Sequence, residues 1–363
     1  MKKKRKKRKT KKQLQRQRRL LVAAGILTVI FVALGVFVGK EMIQGKNGGE
    51  TRAIWLAYMD YKALGLYNKK EAVFRKNAEA FFQEAKANSI NTVYFHVRAF
   101  RDAAYKSQTF PMSRYLWSKK KEIPYDPLEI MVGLAEKHGM ELHAWLNPYR
   151  NRDFDQDILD PADENSTTEI LLCVEEILGN YDVDGIHFDD YFYQEDSQVP
   201  EEEMMENVNR MVQAIYSKVK AYGQEIQFGI SPAGNIGYCQ SIGADVKTWM
   251  SQEGYVDYIM PQIYWTDQHS ASWREKMFTD TLDEWIELNQ GEIPMYPGLA
   301  LYRAGEKAKD DPGWHASGNN VAQQVRTLRE KGCHGFALFS ARDLFRQGAR
   351  EEIKNYQGEV INK

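Results

Sequence analysis

Cysteine is scarce in this chain, with three in 363 residues, at positions 173, 239 and 333. Their spacing fits no metal site, and an odd number of thiols does not build a disulfide framework. The seven histidines form neither His-x-His nor His-Glu-x-x-His, so the usual signature of a catalytic metal is missing. No Gly-x-Gly-x-x-Gly or phosphate loop follows any strand-like run, which removes the nucleotide-binding reasons for an open doubly wound sheet. No metal and no cofactor are expected. Basic charge is also short outside one place. Residues 1–19 hold 13 Lys or Arg and no acid, which leaves 36 basic against 50 acidic residues in 20–363, a net of −14. A body that acidic repels a phosphate backbone, so no nucleic-acid partner is expected.

The basic head runs into Leu20–Val38, 19 residues without a charge. At about 1.5 Å per residue this stretch spans roughly 28 Å, the thickness of a hydrocarbon core. Signal-peptide cores are shorter, and no small-x-small cleavage site or nearby Cys follows. The reading is an uncleaved single-pass anchor in the cell membrane, with the basic N-terminus cytoplasmic and the rest of the chain outside. The chain then divides into a head (1–19), an anchor (20–39), a Gly-rich polar linker (40–50) and one large domain (51–363). Just over 310 residues suffice for a single well-buried core.

Within that domain apolar strand-like runs alternate with amphipathic helical stretches eight times. The runs are 52–58, 91–97, 141–147, 185–190, 227–232, 255–265, 295–302 and 335–341. They are apolar on both parities, as parallel strands covered by helices must be. Helix signals support the alternation: Asp126-Pro127 opens and Gly139 closes one helix, Ser166-Thr167-Thr168-Glu169 reads as a capping box, and 70–88 has helical spacing. The expected fold class is α/β, a (β/α)8 TIM barrel preceded by one transmembrane helix.

Barrel enzymes place their chemistry at the C-terminal ends of the strands. Strand 2 delivers His96, Arg98 and Asp102 there; strand 3 delivers Asn147, Tyr149 and Arg150. Strand 4 is densest, with Asp184-Gly-Ile-His187-Phe-Asp189-Asp190-Tyr191. Alternation puts His187 and Asp189 on one side of that strand and Asp190 on the other. A carboxylate at this point can attack or stabilise an oxocarbenium-like centre, so Asp189 is the first choice for catalysis and Asp190 the second. Strand 5 offers Ser231 and Asn235, and strand 6 offers Gln262, Tyr264, Trp265 and Asp267. Aromatic faces at the strand ends (Tyr149, Tyr191, Tyr264, Trp265) suit the C–H faces of sugar rings. Trp145 and His143 lie before the strand ends and are expected in the core.

The segments TRAIWLAY, NTVYFHVRAFRDAAY, HAWLNPYR, DGIHFDDYFY, FGISPAGN, DYIMPQIYW and GFALFS, in this order, resemble glycosyl-hydrolase-like family 10 over about residues 51–345. That resemblance implies an exported TIM-barrel protein that hydrolyses glycans, with cell-wall peptidoglycan as a substrate class. It puts the family's acidic motif on Asp189 and Asp190, its strand 2 cluster on His96, Arg98 and Asp102, and its strand 6 motif on Gln262 and Tyr264. No Glu stands at a strand end, so the partner acid is Asp190 or Asp102, or else Asp267, Asp343 or an unconventional group. The expected substrate-binding set is His96, Arg98, Asn147, Tyr149, His187, Tyr191, Asn235, Gln262, Tyr264 and Trp265. Two alternatives stay open: a metal-dependent polysaccharide deacetylase or hydrolase, and a non-catalytic glycan-binding barrel.

Overall fold

The computed structural model describes residues 49–151, 158–270 and 274–361. The basic head, the expected anchor and most of the linker lie outside the described residues. Among the described residues no helix is long and apolar enough to cross a membrane. Gly49–Lys363 forms one compact unit.

All eight expected strands are present: β1 Thr51–Leu56, β2 Thr92–Arg98, β3 Glu141–Leu146, β4 Gly185–Phe188, β5 Gln227–Ile230, β6 Tyr258–Ile259, β7 Gly298–Leu299 and β8 Gly335–Phe339. They pair in parallel in the order β6-β5-β4-β3-β2-β1-β8-β7. Between the two ends of that order, Tyr296 N donates to Ile259 O at 2.9 Å and Gly298 N to Pro261 O at 2.8 Å. The result is a curled, TIM-barrel-like α/β fold with helices around it. β6 and β7 are only two residues each, far shorter than their apolar runs. Pro261, Pro294 and Pro297 stand beside them, and a proline has no N–H to give to a ladder.

Helices fill the connections, and their ends follow local chemistry. Asp126 Oδ1 caps Pro127–His138 by accepting from Leu128 N at 3.1 Å, and Gly139 closes that helix at φ 68°. The spacing over 70–88 becomes Glu71–Ala87, with Phe74, Ala78, Phe81, Phe82 and Ala85 buried. The expected capping box at Ser166 is corrected. The helix starts earlier, at Glu164, because the Asp163 carboxylate takes the cap by accepting from Asn165 N. Glu169 is thereby free to pair with Arg98 and Arg101.

Strand alternation divides the core. Ile54, Leu56, Val93, Phe95, Ile186 and Phe188 point outward into the layer between strands and helices. Ala53, Trp55, Tyr94, Trp145, Tyr258, Met260 and Tyr296 fill the barrel interior. That interior is unusually aromatic, and glycine makes room for it. A Cβ on Gly229 would lie 2.2 Å from the Tyr258 ring, and one on Gly185 would lie 2.4 Å from His143.

Candidate active site

The inward side chains change character along the barrel axis. Deep inside, His143 Nδ1 lies 3.0 Å from the Tyr258 hydroxyl and His187 Nδ1 lies 3.2 Å from it. Trp55 Nε1 donates to His187 Nε2 at 3.2 Å. An indole nitrogen only donates, so His187 accepts on Nε2 and carries its proton on Nδ1, towards the Tyr258 hydroxyl. Burial holds both imidazoles neutral, His143 down at about 4 and His187 well below its ordinary value. His143 is a core residue, as expected. His187 is not at the substrate surface either: it is fully buried beneath it and supports Ser231, whose Oγ lies 3.1 Å from His187 Nε2.

Above this layer the barrel opens into a cleft of about 90 Å³. Its β2–β3 side is His96, Trp145, Asn147 and Arg150. Trp55, Tyr58, Met59 and Phe339 come from β1, β8 and the turn after β1, and Asp189, Tyr191, Ser231, Gln262 and Tyr264 complete the ring. Asp189 is the one carboxylate among these lining residues, and the parity argument for it holds: it follows His187 on the inner face. Its Oδ1 accepts from Asp190 N at 3.0 Å and from Gln262 Nε2 at 3.1 Å. Gln262 is itself held by donating to Ser231 O at 2.8 Å.

Asp190 is half-buried, and its carboxyl is in hydrogen-bonding contact with that of Asp189. Burial raises both acids, and for Asp190 the charge of Asp189 raises it further. Two carboxyls in contact hold one proton between them. Asp190 is raised the further of the two and so favours that proton; Gln262 donates to Asp189 alone, whereas Arg150 favours the ionised form of both. The Arg150 guanidinium is fixed over the Tyr191 ring at 4.3 Å and over Phe100 at 4.9 Å.

The His96 ring lies flat on Trp145, with centroids 3.7 Å apart. Burial, then the charge of Arg150, holds it well below its ordinary value and so neutral. The Asn147 side chain and the Arg98 backbone lie beside the ring as hydrogen-bonding neighbours that favour its charged form, against the larger effect of burial.

The remaining expected residues lie elsewhere. Arg98 faces outward after a register shift between His96 and Arg98, and it pairs with Glu169 at 3.0 Å under the helix layer. Asp102 accepts from Phe100 N at 3.1 Å and closes the turn after β2; burial raises its carboxyl. Tyr149 is fully buried against Phe192 on the helix side. Asn235 caps the helix Ile236–Ser241 by accepting from Tyr238 N, and Trp265 packs on Gly234. The other two candidate acids are also committed. Asp267 accepts from Thr279 N and Oγ1 at 2.8 and 2.7 Å, and Asp343 receives Arg346 Nε at 2.6 Å. Among the described residues no three His, Cys, Asp or Glu side chains gather as they would around a metal ion.

Sequence reasoning passed over Trp55, Tyr58, Met59, Trp145 and Phe339, and gave Arg150 and Ser231 no role. Inward parity of Trp55 with Ala53 and Ala57 was the signal available for the first of these.

The family described as Glycosyl hydrolase-like 10 matches residues 50–169 and 201–316. The chain belongs to this family. Its relatives include Glycosyl hydrolase DigH of Escherichia coli K12, 29% identical over 343 residues, covering 74% of this chain and 76% of that protein. Glycosyl hydrolase YngK of Bacillus subtilis is 25% identical over 386 residues, covering 87% and 73%. In three dimensions the chain is similar to the glycoside hydrolase domain of PgaB (BpsB) from Bordetella bronchiseptica, with a TM-score of 0.61, 12% identity, and coverage of 85% of this chain and 99% of that one. At that identity the likeness speaks for the fold. For a glycosyl hydrolase-like 10 member, the position of Asp189 at the mouth, just after β4, is where barrel chemistry is expected.

Proposed function

We propose that this protein is a membrane-anchored, extracytoplasmic glycoside hydrolase that cleaves O-glycosidic bonds in a cell-envelope polysaccharide, with peptidoglycan glycan strands the first candidate. The observation that carries the reading is the Asp189 carboxylate, the one acid lining an aromatic cleft, held there by Asp190 N and Gln262 Nε2. Asp189 acts on the developing oxocarbenium centre as nucleophile or as the base that activates water, and that water supplies the oxygen that replaces the leaving group at C1. Asp190, which does not line the cleft, acts through Asp189 as the holder of the shared proton. The leaving oxygen takes its proton from the solvent that enters the cleft. Gln262 and Arg150 keep Asp189 ionised. His96, Asn147 and Tyr264 offer hydroxyl contacts and ring faces, and the rim side chains Met59, Tyr191 and Tyr302, each about two-fifths exposed, extend the platform.

The family, and relatives named as glycosyl hydrolases, support the reaction class. The charge-free Leu20–Val38 behind a basic head supports the anchor, and an acidic outer domain suits an enzyme working at the membrane face of the wall.

The test uses purified full-length protein on peptidoglycan, both intact and stripped of stem peptides. New reducing ends and released fragments, followed by mass spectrometry, are expected from wild type and lost in Asp189→Asn. Release of acetate without chain cleavage would move the case to a deacetylase, and tight binding without any product to a glycan-binding barrel. Recovery of the chain in the soluble fraction of lysed cells would remove the anchor.

A further inference from the structure

The domain is acidic as a whole, yet one part of its surface is the reverse. Residues 61–70 and 103–121 hold eight Lys or Arg and no Asp or Glu, which leaves 28 basic against 50 acidic residues in the rest of 20–363. The first stretch belongs to the connection after β1 and the second to the connection after β2. Both therefore lie at the end of the barrel that carries the cleft. The flanking acids are Glu71 and Glu122, and Glu71 is committed to Arg75 at 2.8 Å.

Hydrogen bonds lock the two stretches together. Asn68 N donates to Leu116 O, Ser118 N to Asn68 Oδ1 and Asn68 Nδ2 to Ser118 Oγ, each at 2.9 Å. The lysine run is held as well: Trp117 Nε1 donates to Lys121 O at 2.7 Å, and Lys119 Nζ lies 4.5 Å from the centre of the Trp117 ring. Lys69 and Lys70 thus share one ridge with Lys119, Lys120 and Lys121, and all but the half-buried Lys69 are exposed. Among the described residues none of these five ammonium groups is in an ion pair. The ridge also joins the cleft. Tyr115 packs edge-on against Tyr58 with centroids 4.6 Å apart, and Tyr58 lines the cleft.

A row of ammonium groups on a fixed backbone attracts a polymer with repeated negative charges, and the acidic remainder of the domain repels the same polymer elsewhere. The described chain enters the barrel near Thr51, the start of β1 and the opposite end from the ridge. That placement favours the polymer the cleft receives over a lipid surface. We propose that the ridge is a docking surface for the part of an anionic, carboxylate-bearing glycan strand that runs out of the cleft on the β1–β2 side. The proposal rests on the reading of a cell-envelope glycan as substrate and deepens it, since the ridge adds grip beyond the cleft and fixes which way the strand leaves. Exposed lysines act as point charges, so the grip is salt-sensitive.

The probes are peptide-free peptidoglycan strands and the same strands with their carboxylates reduced to alcohols. Binding is measured by titration calorimetry on full-length protein carrying Asp189→Asn, so that turnover does not consume the ligand. A ridge variant adds Lys119→Gln, Lys120→Gln and Lys121→Gln. A control adds Lys137→Gln, Lys247→Gln and Lys354→Gln, three exposed lysines elsewhere with the same change in net charge. At low ionic strength the ridge variant should bind intact strands about tenfold more weakly than its parent, with the control unchanged. The difference should vanish near 1 M salt, where charges are screened within about 3 Å, and with carboxyl-reduced strands. Equal binding of intact strands by parent and ridge variant, an equal loss in the control, or no binding by the parent overturns the proposal. Anionic-lipid vesicles that bind the parent and not the ridge variant, with no discrimination between the two strands, would assign the ridge to lipid and also overturn it. Reducing-end release with Asp189 intact reports the hydrolase reading separately. Its absence beside ridge-dependent binding would sink hydrolysis and leave the ridge standing.

Discussion

The ends of β2 and β3 show two environments two residues apart. His96 and Asn147 face the cleft, whereas Arg98 and Tyr149 are sealed between barrel and helices. Strand alternation would put each pair on one side. It fails at a register shift in the first case and beyond Pro148 in the second. Inside, the His96 and Asn147 side chains form a wall of the cleft, with the charge of Arg150 beside them. Outside, Arg98 Nη2 pairs with Glu169 and the guanidinium lies 4.6 Å from the Phe110 ring, while its Nε and Nη1 have no hydrogen-bond partner. The inner set is arranged for a ligand and the outer set for the fold.

That contrast can be sharpened or broken by substitution. On the inner face, Gln262→Leu removes a donor from Asp189 Oδ1. It should lower kcat about 30-fold, in line with the loss of one preorganised hydrogen bond. The direction of the pH effect follows from the bond's role. Gln262 favours ionised Asp189, so its loss lets Asp189 take up a proton at higher pH, and the acidic limb of the activity profile moves upward. An unmoved limb would detach Gln262 from the pair.

On the outer face, Arg98→Met should cost about 2 kcal/mol in denaturant unfolding, because Glu169 loses its buried charged hydrogen bond and keeps only Arg101 as a partner. Its kcat/KM should stay within about twofold of wild type. A large loss of activity in a fully folded variant would return Arg98 to the substrate.

The smallest effect is expected at Asp60, which is fully buried under the turn after β1. It accepts from Ala57 N at 3.1 Å and Ser340 Oγ at 3.0 Å. Burial pushes its carboxyl up to about 7 against those bonds. A folded-state value above the unfolded one contributes stability that is present below about pH 4 and lost as pH rises through about 7. Asp60→Asn should therefore flatten the dependence of thermal stability on pH across that window, whatever poorer bonds to Ser340 cost at every pH. An unchanged slope would place the pH dependence in other groups.

The eight strands were legible because each is an uninterrupted apolar run, and burial on both faces leaves such runs little freedom. Asp189 was legible too, because β4 is regular up to Phe188 and alternation carries one residue further. Arg98, Tyr149, Asn235 and Trp265 were misplaced because side-chain chemistry names what a residue can do and not which way a strand end turns. Asp102, Asp267 and Asp343 became turn and helix caps, a use that an aspartate near a strand end serves as readily as catalysis. Trp55 and Trp145 were overlooked as part of the site because large aromatics inside a strand read as core, and here they are core and cleft floor at once.

Asp189 and Asp102 carry the same chemistry on opposite sides of the barrel wall, so comparing Asp189→Asn with Asp102→Asn is the most direct test. Each is measured for reducing-end release from peptide-free glycan strands and for its thermal midpoint. The account predicts that Asp189→Asn loses at least about 1,000-fold in kcat with its midpoint nearly unchanged, while Asp102→Asn melts earlier and keeps its turnover per folded molecule. Full activity in Asp189→Asn, or a folded but inactive Asp102→Asn, would contradict it.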